Sequence, residues 1–255
     1  MPACGLVFLF LPIPSFGAEK KEEKKAPEPP SIVMVLPLAI SPGVTNKVKI
    51  RGQNLTNVTE VRFTNSELHV EYTIKSKGKA EVPKDADVKK FGDAQIDLQI
   101  TLPTNAPAGL TGFTLVSTNG ESKPGTIVIV PSGKLVQEKE SNGSFREAQP
   151  LEFGKFYLGS IGEAKDVDVF KIQCKAGQMI TAEVQAARYG SSLDALLTLY
   201  DEHGHQVASS DDSEYGSDAV LHVKISHDGA YLLSLMDAND KGGATFVYLL
   251  SVKSE

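Results

Sequence analysis

The sequence contains no tryptophan, and aromatic residues make up only 7% of its 255 positions. Proteins that hold sugars or bases by stacking need exposed aromatic rings, so this scarcity disfavours a stacking platform. Basic residues do not predominate either, because 26 Lys and Arg face 32 Asp and Glu, for a net charge of −6. Phosphate binding requires clustered positive charge, so nucleic acid is not an expected partner.

Cysteine is almost absent, with only Cys4 and Cys174 in the chain. Cys4 lies in a segment that we expect to be removed, and the remaining thiol cannot close an intrachain disulfide. Cys174 alternates with the apolar Phe170 and Ile172, which predicts a small core residue. A catalytic thiol is the alternative, but no histidine is near it in the sequence.

Signatures of common enzyme classes are also missing. No Gly-x-Ser-x-Gly elbow, HExxH zinc motif, phosphate-cradling loop or dinucleotide fingerprint occurs. His203 and His205 are spaced to share one face of an extended segment, but two ligands are too few for zinc. We therefore expect a protein that is not an enzyme.

The N-terminus has the pattern of a secretory signal peptide. Residues 6–11 are apolar but too few to span a bilayer, and small residues at Ser15 and Gly17 precede a cleavage point before Ala18. Residues 1–17 are thus predicted to be removed, which implies a secreted, periplasmic or cell-surface protein without a membrane span. Residues 18–30 are charged and proline-rich, which is typical of a solvated linker.

Short segments with period-two alternation fill residues 31–131, separated by turn signals. The clearest is Ile96 to Leu102, where apolar and polar residues alternate strictly. No helical period of comparable length competes, so we predict an antiparallel β-sandwich of immunoglobulin type.

Several motifs in this region resemble the IPT/TIG immunoglobulin-like family. They are Ser41-Pro42-Gly43, Val48 to Leu55 with its Gly-x-Asn-Leu element, Val61 to Phe63, Ala108-Gly109 and Thr118-Asn119-Gly120. The segment from Lys75 to Gly92 departs from the family as a polar, lysine-rich insertion. The resemblance implies an extracellular spacer or binding module, and the fold alone does not choose between them.

The second half also alternates with period two. Phe170, Ile172 and Cys174 form one run, and Ile180, Ala182 and Val184 form the next after a turn at Lys175 to Gln178. This succession predicts a β-hairpin. A second hairpin is expected at Asp228-Gly229, between Leu221 to Ile225 and Tyr231 to Leu235. Two antiparallel β-sandwiches, and an all-β protein, are therefore expected.

Residues 136–253 resemble the bacterial pre-peptidase C-terminal (PPC) domain. The motifs that carry the resemblance are Glu138-x-Glu140-x-Asn142, Ala148 to Leu151, Gly159-x-Ile161, Asp166 to Phe170, Ala176 to Gln178, Ser192 to Asp194, Leu199 to Gly204, Asp211-Asp212 and Asp228 to Tyr231. The resemblance implies a jelly-roll-like sandwich of the kind appended to secreted peptidases. Relatives in clostridial collagenases bind calcium and collagen.

The same resemblance implies a calcium site. Its ligands would be Glu138, Glu140, Asn142, Asp166 and Asp168, since the acidic linker folds back near the Asp-x-Asp strand start in this family. Calcium takes six to eight oxygen ligands, which carboxylates and amides supply. Calcium-binding relatives carry another acid or amide where this chain has Gly143. The alternative is that these are solvated carboxylates that bind no ion.

A second acidic group comprises Asp194, Asp201, Asp211, Asp212 and Asp218. Aspartate side chains often accept hydrogen bonds from turn amides, so we expect turn capping here rather than a metal. No aromatic cleft that could raise one carboxyl pKa flanks them, which argues against glycoside hydrolysis.

These observations predict an exported, non-catalytic binding or adhesion protein that is stabilised by calcium. Its partner would be an extracellular protein or polysaccharide. Two alternatives stay open. The chain could be an accessory subunit or C-terminal-type module of a secreted peptidase, or it could be a structural spacer.

Overall fold

The computed structural model describes residues 1, 27–82, 84 and 87–255. Regular structure there is almost entirely β, which confirms the predicted all-β class. The expected signal peptide, apart from Met1, lies outside the described residues, as do residues 18–26 of the expected linker. Within the described part of the chain, no helix is long and apolar enough to cross a membrane.

The first sandwich is built from two sheets. Their strand orders are β1-β3-β6-β5 and β2-β9-β7-β4, with β8 paired to β7. The strands are β1 Ser31–Leu36, β2 Ala39–Ile40, β3 Thr45–Gln53, β4 Val58–Phe63, β5 Glu71–Lys79, β6 Ala94–Thr101, β7 Gly109–Ser117, β8 Gly120–Glu121 and β9 Gly125–Ile129. A 3-10 turn spans Leu55–Asn57 and a short helix, α1, spans Val88–Phe91.

Apolar residues that alternate along the strands form the core of the first sandwich. Ile96, Leu98 and Ile100 of β6 are buried, whereas Gln95 and Asp97 are only half-buried on the opposite face. The lysine-rich segment that departs from the family pattern forms much of the edge strand β5 and then α1.

The second sandwich has two sheets of five strands each, ordered β10-β12-β19-β14-β17 and β11-β13-β18-β15-β16. Its strands are β10 Leu135–Gln137, β11 Gln149–Pro150, β12 Phe156–Ser160, β13 Val167–Cys174, β14 Met179–Gln185, β15 Ala195–Tyr200, β16 Gln206–Ser210, β17 Val220–Lys224, β18 Gly229–Asp237 and β19 Val247–Ser254. A 3-10 turn spans Ala187–Tyr189. Most pairs are antiparallel, but β2 with β9, β10 with β12, and β11 with β13 are parallel.

Both hairpins predicted from the sequence are wrong. β13 pairs with β11 and β18, whereas β14 pairs with β17 and β19 in the facing sheet. β17 and β18 likewise belong to different sheets. The turns at Lys175–Gln178 and at Asp228-Gly229 therefore carry the chain across the core. A tight turn has the same local sequence signals whether it joins neighbouring strands of one sheet or strands of two facing sheets.

A third apolar cluster joins the two sandwiches. Leu38, Val128 and Val130 of the first sandwich pack with Leu158 and Leu249 of the second, and all five are buried. Val128, Leu158 and Leu249 lie on the faces of β9, β12 and β19 that point away from each sandwich's own core, and Leu38 and Val130 lie just outside β2 and β9. Burial of both faces therefore fixes one sandwich against the other.

Candidate functional site

The candidate site lies where the segment after β10 returns to the second sandwich. The amide of Glu138 donates to the carbonyl of Leu158 at 2.9 Å, which extends the pairing of β10 with β12. The side chain of Gln149 accepts from the amide of Lys139 at 2.8 Å and donates to the carbonyl of Gln137 at 3.3 Å. These contacts hold the acidic segment against the end of the sheets.

Asp168 enters the site from the other sheet. It shares a face of β13 with Phe170, so its carboxylate points between the two sheets and is fully buried. The hydroxyl of Tyr248, on β19, donates to Asp168 Oδ2 at 2.6 Å. Burial, together with the charge of Asp168, raises the pKa of Tyr248 well above its ordinary value. The tyrosine is therefore a hydrogen-bond donor at neutral pH.

A glycine makes room for these groups. Gly159 lies opposite Tyr248 in the pairing of β12 with β19. A Cβ added at Gly159 would lie 2.3 Å from the Tyr248 hydroxyl oxygen and 2.8 Å from Cβ of Glu138. Any side chain here would displace both neighbours, so the site requires glycine at this position.

Three carboxylates converge in this space. Glu138, Glu140 and Asp168 each offer an oxygen, and these oxygens lie within 4.8 Å of one another. Burial, reinforced by repulsion from Asp168, raises the pKa of Glu138 to about 8. Burial also raises the pKa of Asp168 to about 7, although the hydrogen bond from Tyr248 opposes the shift. Burial and the charge of Asp166 raise the pKa of Glu140 as well.

Asn142 completes the group from the loop that follows. Its backbone carbonyl accepts from the amide of Val169 at 3.0 Å, which holds the loop beside β13. Asn142 is 1% exposed, and neither its Oδ1 nor its Nδ2 makes a hydrogen bond of regular geometry with any residue that the structure describes. The amide is nevertheless close enough to Glu138 and Asp168 to lower the pKa of each.

Unpartnered buried atoms are concentrated here. Of the five buried side-chain oxygens and nitrogens without a hydrogen bond among the described residues, four belong to Glu138, Asn142 and Asp168. An unsatisfied buried polar group costs about 1–3 kcal/mol. Buried polar groups of native proteins that lack a protein partner commonly bind ordered water or an ion.

Two sequence-predicted positions behave differently. Asp166 is outside the convergent group, because its Oδ2 accepts from the amide of Gly162 at 2.6 Å and so caps the loop before β13. Gly143 is exposed, and a Cβ there would meet only the carbonyl oxygen of Val167 at 3.5 Å. The structure thus brings together four of the five predicted residues, whereas the Asp166 carboxylate faces the loop before β13.

The donor set consists of carboxylate and amide oxygens. Such ligands suit a hard cation such as calcium or magnesium, whereas zinc prefers imidazole and thiolate. Across the described ranges, this is also the one group of three or more His, Cys, Asp or Glu side chains whose ligand atoms are close enough together to hold one metal ion.

The second acidic group does not converge. Asp201 accepts from the amides of His203 and His205, both at 2.9 Å, as expected for a turn cap. Asp218 is fully buried and bound by the guanidinium of Arg188 and by backbone amides. Asp194 accepts from the Asn239 side chain. Asp211 and Asp212 are exposed.

Cys174 is buried at the end of β13, as its alternation predicts. Burial raises the pKa of its thiol to about 11, so it is protonated at neutral pH. A protonated buried thiol is not a nucleophile, which agrees with a packing role.

The sequence alone did not assign Tyr248 or Gly159 to the site, although Gly159 belongs to the Gly159-x-Ile161 motif of the PPC resemblance. Tyr248 occupies a buried position in β19, but no local signal reveals that its hydroxyl reaches Asp168 across the core. Gly159 had a weak signal, since a glycine inside a strand often marks a close approach by another group.

Comparison with known proteins yields one sequence relative. No protein-family model matches the chain. Over 109 residues the chain is 38% identical to a probable subtilase-type serine protease of Deinococcus radiodurans. The match covers 41% of this chain and 15% of that protease, so the chain spans only a small part of its relative.

Two solved structures show more distant likenesses. One is the pre-peptidase C-terminal domain of collagenase from Bacillus anthracis, with 19% identity and a TM-score of 0.35, covering 42% of this chain and 95% of that domain. The other is SGBP-B from the mixed-linkage glucan utilization locus of Bacteroides ovatus, in complex with a mixed-linkage heptasaccharide. That match has 11% identity and a TM-score of 0.24, covering 84% of this chain and 71% of the other. Both TM-scores are too low to decide function.

Proposed function

We propose that the chain is an exported, non-catalytic binding protein whose second sandwich is a PPC-like module stabilised by calcium. The observation that carries the proposal is the convergence of Glu138, Glu140 and Asp168 around buried oxygens that make no hydrogen bond with any described residue. The first sandwich serves as an IPT/TIG-like module, and its burial against the second gives the binding protein a fixed shape.

Calcium would be held by Glu138, Glu140, Asn142 and Asp168. Asp166 would not be a ligand, but its nearby negative charge would add to the attraction for the cation. Glu138, Glu140 and Asn142 come from the segment after β10, whereas Asp168 comes from β13. A cation at this point would offset the repulsion between the carboxylates and tie the segment to the sheet. Calcium fits better than magnesium because it accepts irregular coordination by protein oxygens.

The test compares thermal unfolding of the full chain in chelator, millimolar calcium and millimolar magnesium. Calcium is expected to raise the melting temperature, and Glu138→Gln should abolish the rise. Asp212→Asn removes one exposed carboxylate elsewhere in the same sandwich and should respond like the parent chain. Equal melting temperatures with and without calcium would reject the ion, as would an unchanged response in Glu138→Gln.

A second candidate is an accessory or C-terminal-type module of a secreted peptidase. The observation that favours it is the 38% identity to a probable subtilase-type protease. The chain itself is proposed to lack peptidase activity, because Cys174 is buried and protonated and the sequence contains no Gly-x-Ser-x-Gly elbow or HExxH motif. Cleavage of casein or collagen above the level of a heat-denatured control would overturn that assignment.

The proposed partner is an extracellular protein or polysaccharide. A structural spacer is the remaining alternative, and it predicts that no cell-wall, glycan or matrix surface retains the chain. The test incubates the labelled protein with such surfaces taken from a secreted, periplasmic or cell-surface fraction. Retention supports a binding protein, and no retention supports a spacer.

A further inference from the structure

A groove of about 640 Å³ lies on the first sandwich at the point where the second approaches it, and its lining includes no residue of the acidic site. Its floor is the solvent-facing side of the sheet β1-β3-β6-β5, with Lys47 and Lys49 of β3 and Gln99 of β6. Leu36 and Pro37 form one wall, and Ala244 reaches it from the second sandwich. Ligand sites favour clefts of this size at domain boundaries.

The groove continues along β3 into a second cavity of about 360 Å³. Ala244 borders both cavities, and Arg51 and Phe246 line the second. Lys47, Lys49 and Arg51 are alternate residues of one strand, so the two cavities follow about 13 Å of its length. That length matches about four residues of extended peptide. The cleft therefore suits a linear ligand.

Its shape is fixed by the packing between the sandwiches. Leu38 follows the Leu36 and Pro37 wall directly and is buried against Leu249 and Leu158. The loop that carries Ala244 leads into β19, which contributes Leu249 to the same cluster. Both sides of the groove are thus anchored in one apolar interface, so its ligand would meet a preformed site.

Positive charge is concentrated in this groove although the protein is acidic. Residues 31–131 carry eleven basic and nine acidic side chains, whereas residues 132–255 carry eleven basic and nineteen acidic ones. Lys47, Lys49 and Lys75 line the groove, and none of them forms an ion pair within the described residues. Asp97, the one carboxylate that lines the larger cavity, accepts a hydrogen bond from the Ser76 hydroxyl, and Glu81 lines the second cavity.

We propose that this groove binds an extended acidic peptide segment that alternates carboxylate and apolar side chains. Carboxylates would pair with Lys47, Lys49 and Lys75, and apolar side chains would pack on Leu36, Pro37 and Ala244. The inference rests on the proposed function as a binding protein and names one site and one ligand class for it.

A peptide fits these walls better than a polysaccharide does. The larger cavity has no aromatic ring to stack on a sugar, and most of its exposed lining is apolar. Neutral glycans would leave the lysines unpaired, and acidic glycans would leave the apolar walls uncovered. An amphipathic acidic chain satisfies both features.

Fluorescence anisotropy of the full chain with labelled octapeptides provides the test. The probe alternates leucine and glutamate, and its matched control alternates leucine and glutamine. Polygalacturonate, as an acidic polysaccharide, is the competing ligand. The double variant Lys47→Gln/Lys49→Gln removes two groove charges, and Lys123→Gln/Lys253→Gln removes two exposed charges elsewhere.

The expected result is saturable binding of the glutamate peptide, about tenfold weaker in the groove variant and unchanged in the control variant. The glutamine peptide should bind more weakly, and Ala244→Glu should also weaken binding by placing negative charge in the wall. Absence of binding, equal binding by the groove variant, or tighter binding of polygalacturonate would overturn the groove assignment. If calcium still raised the melting temperature of the same samples, the groove assignment would be wrong but the proposed calcium-stabilised module would stand.

Discussion

The hydroxyl of Tyr248 donates a 2.6 Å hydrogen bond to the buried carboxylate of Asp168, across the core of the second sandwich. Tyr248 belongs to β19 and Asp168 to β13, so the bond links the two sheets at the point where the acidic segment joins them. It fixes one oxygen of Asp168, whose other oxygen, Oδ1, has no hydrogen-bond partner among the described residues. Asp168 therefore keeps one carboxylate oxygen without a hydrogen bond in the group that it forms with Glu138 and Glu140.

Removing that hydroxyl should weaken the fold and the cation site together. Tyr248→Phe leaves a buried carboxylate without its donor, so we expect a loss of about 1–3 kcal/mol in the free energy of unfolding by urea. The calcium-induced rise in melting temperature should also shrink. Tyr231→Phe is the matched control, because its hydroxyl bonds the carbonyl of His227 far from the acidic group. An equal effect of both variants on the calcium response would contradict this role.

The metal-free protein should lose stability as pH rises. The folded-state pKa values of Glu138 and Asp168, about 8 and about 7, lie above those of an unfolded chain. Folding therefore favours their protonated forms, and their contribution is fully present below about pH 4 and lost as pH rises through 7 and 8. In chelator, the melting temperature is expected to fall between pH 5.5 and pH 8.5.

Glu138→Gln isolates this contribution from the five histidines of the chain. The variant should show a flatter profile than the parent chain over the same range. Calcium should also flatten the parent profile, because a bound cation stabilises the ionised carboxylates. Identical profiles for parent and variant in chelator would contradict the origin assigned to the pH dependence.

Gly159 should not tolerate even a methyl group. Gly159→Ala would place a carbon 2.3 Å from the Tyr248 oxygen, and overpacking of this kind costs about 1–3 kcal/mol. Gly78→Ala, also in a strand, has nothing within 4 Å of the new carbon and should leave the urea midpoint nearly unchanged. A similar loss in both variants would mean that strand glycine alone, and not crowding at the site, is responsible.

The two sandwiches should unfold as one unit. The cluster of Leu38, Val128, Leu158 and Leu249 is buried between them, so calorimetry is expected to show a single transition. Leu38→Ala removes part of that contact and should cost about 2–5 kcal/mol and split the transition. Leu115→Ala, in the first core alone, should lower stability as well. Two resolved transitions in the parent chain would contradict the coupling.

Alternating sequence predicts strands well but not their partners. Ile96, Leu98 and Ile100 form a buried face because side chains alternate along any strand. The turn at Lys175–Gln178 looks like a hairpin turn, yet it leads to the opposite sheet, since pairing depends on contacts made far away in the chain. Continuous apolar runs such as Ile127 to Val130 are typical of strands buried on both faces, and in the structure this run lies at the contact between the sandwiches.

The candidate site was predictable only in part. Family resemblance pointed to Glu138, Glu140, Asn142 and Asp168, which the structure brings together. Nothing local distinguishes Asp166 from Asp168, because the difference arises when Asp166 caps the loop at Gly162. The unpartnered state of Asn142 is equally invisible in sequence, since it depends on every neighbouring donor and acceptor in three dimensions.

The most direct test of the proposed cation site uses terbium as a luminescent substitute for calcium. The chain has no tryptophan, so tyrosine is its only strong sensitiser near 280 nm, and Tyr248 touches a proposed ligand. The account predicts sensitised emission that calcium displaces and that Glu138→Gln and Asn142→Ala abolish, while Asp212→Asn retains it. Absence of emission, or emission that persists in both site variants, would contradict a cation bound by these residues.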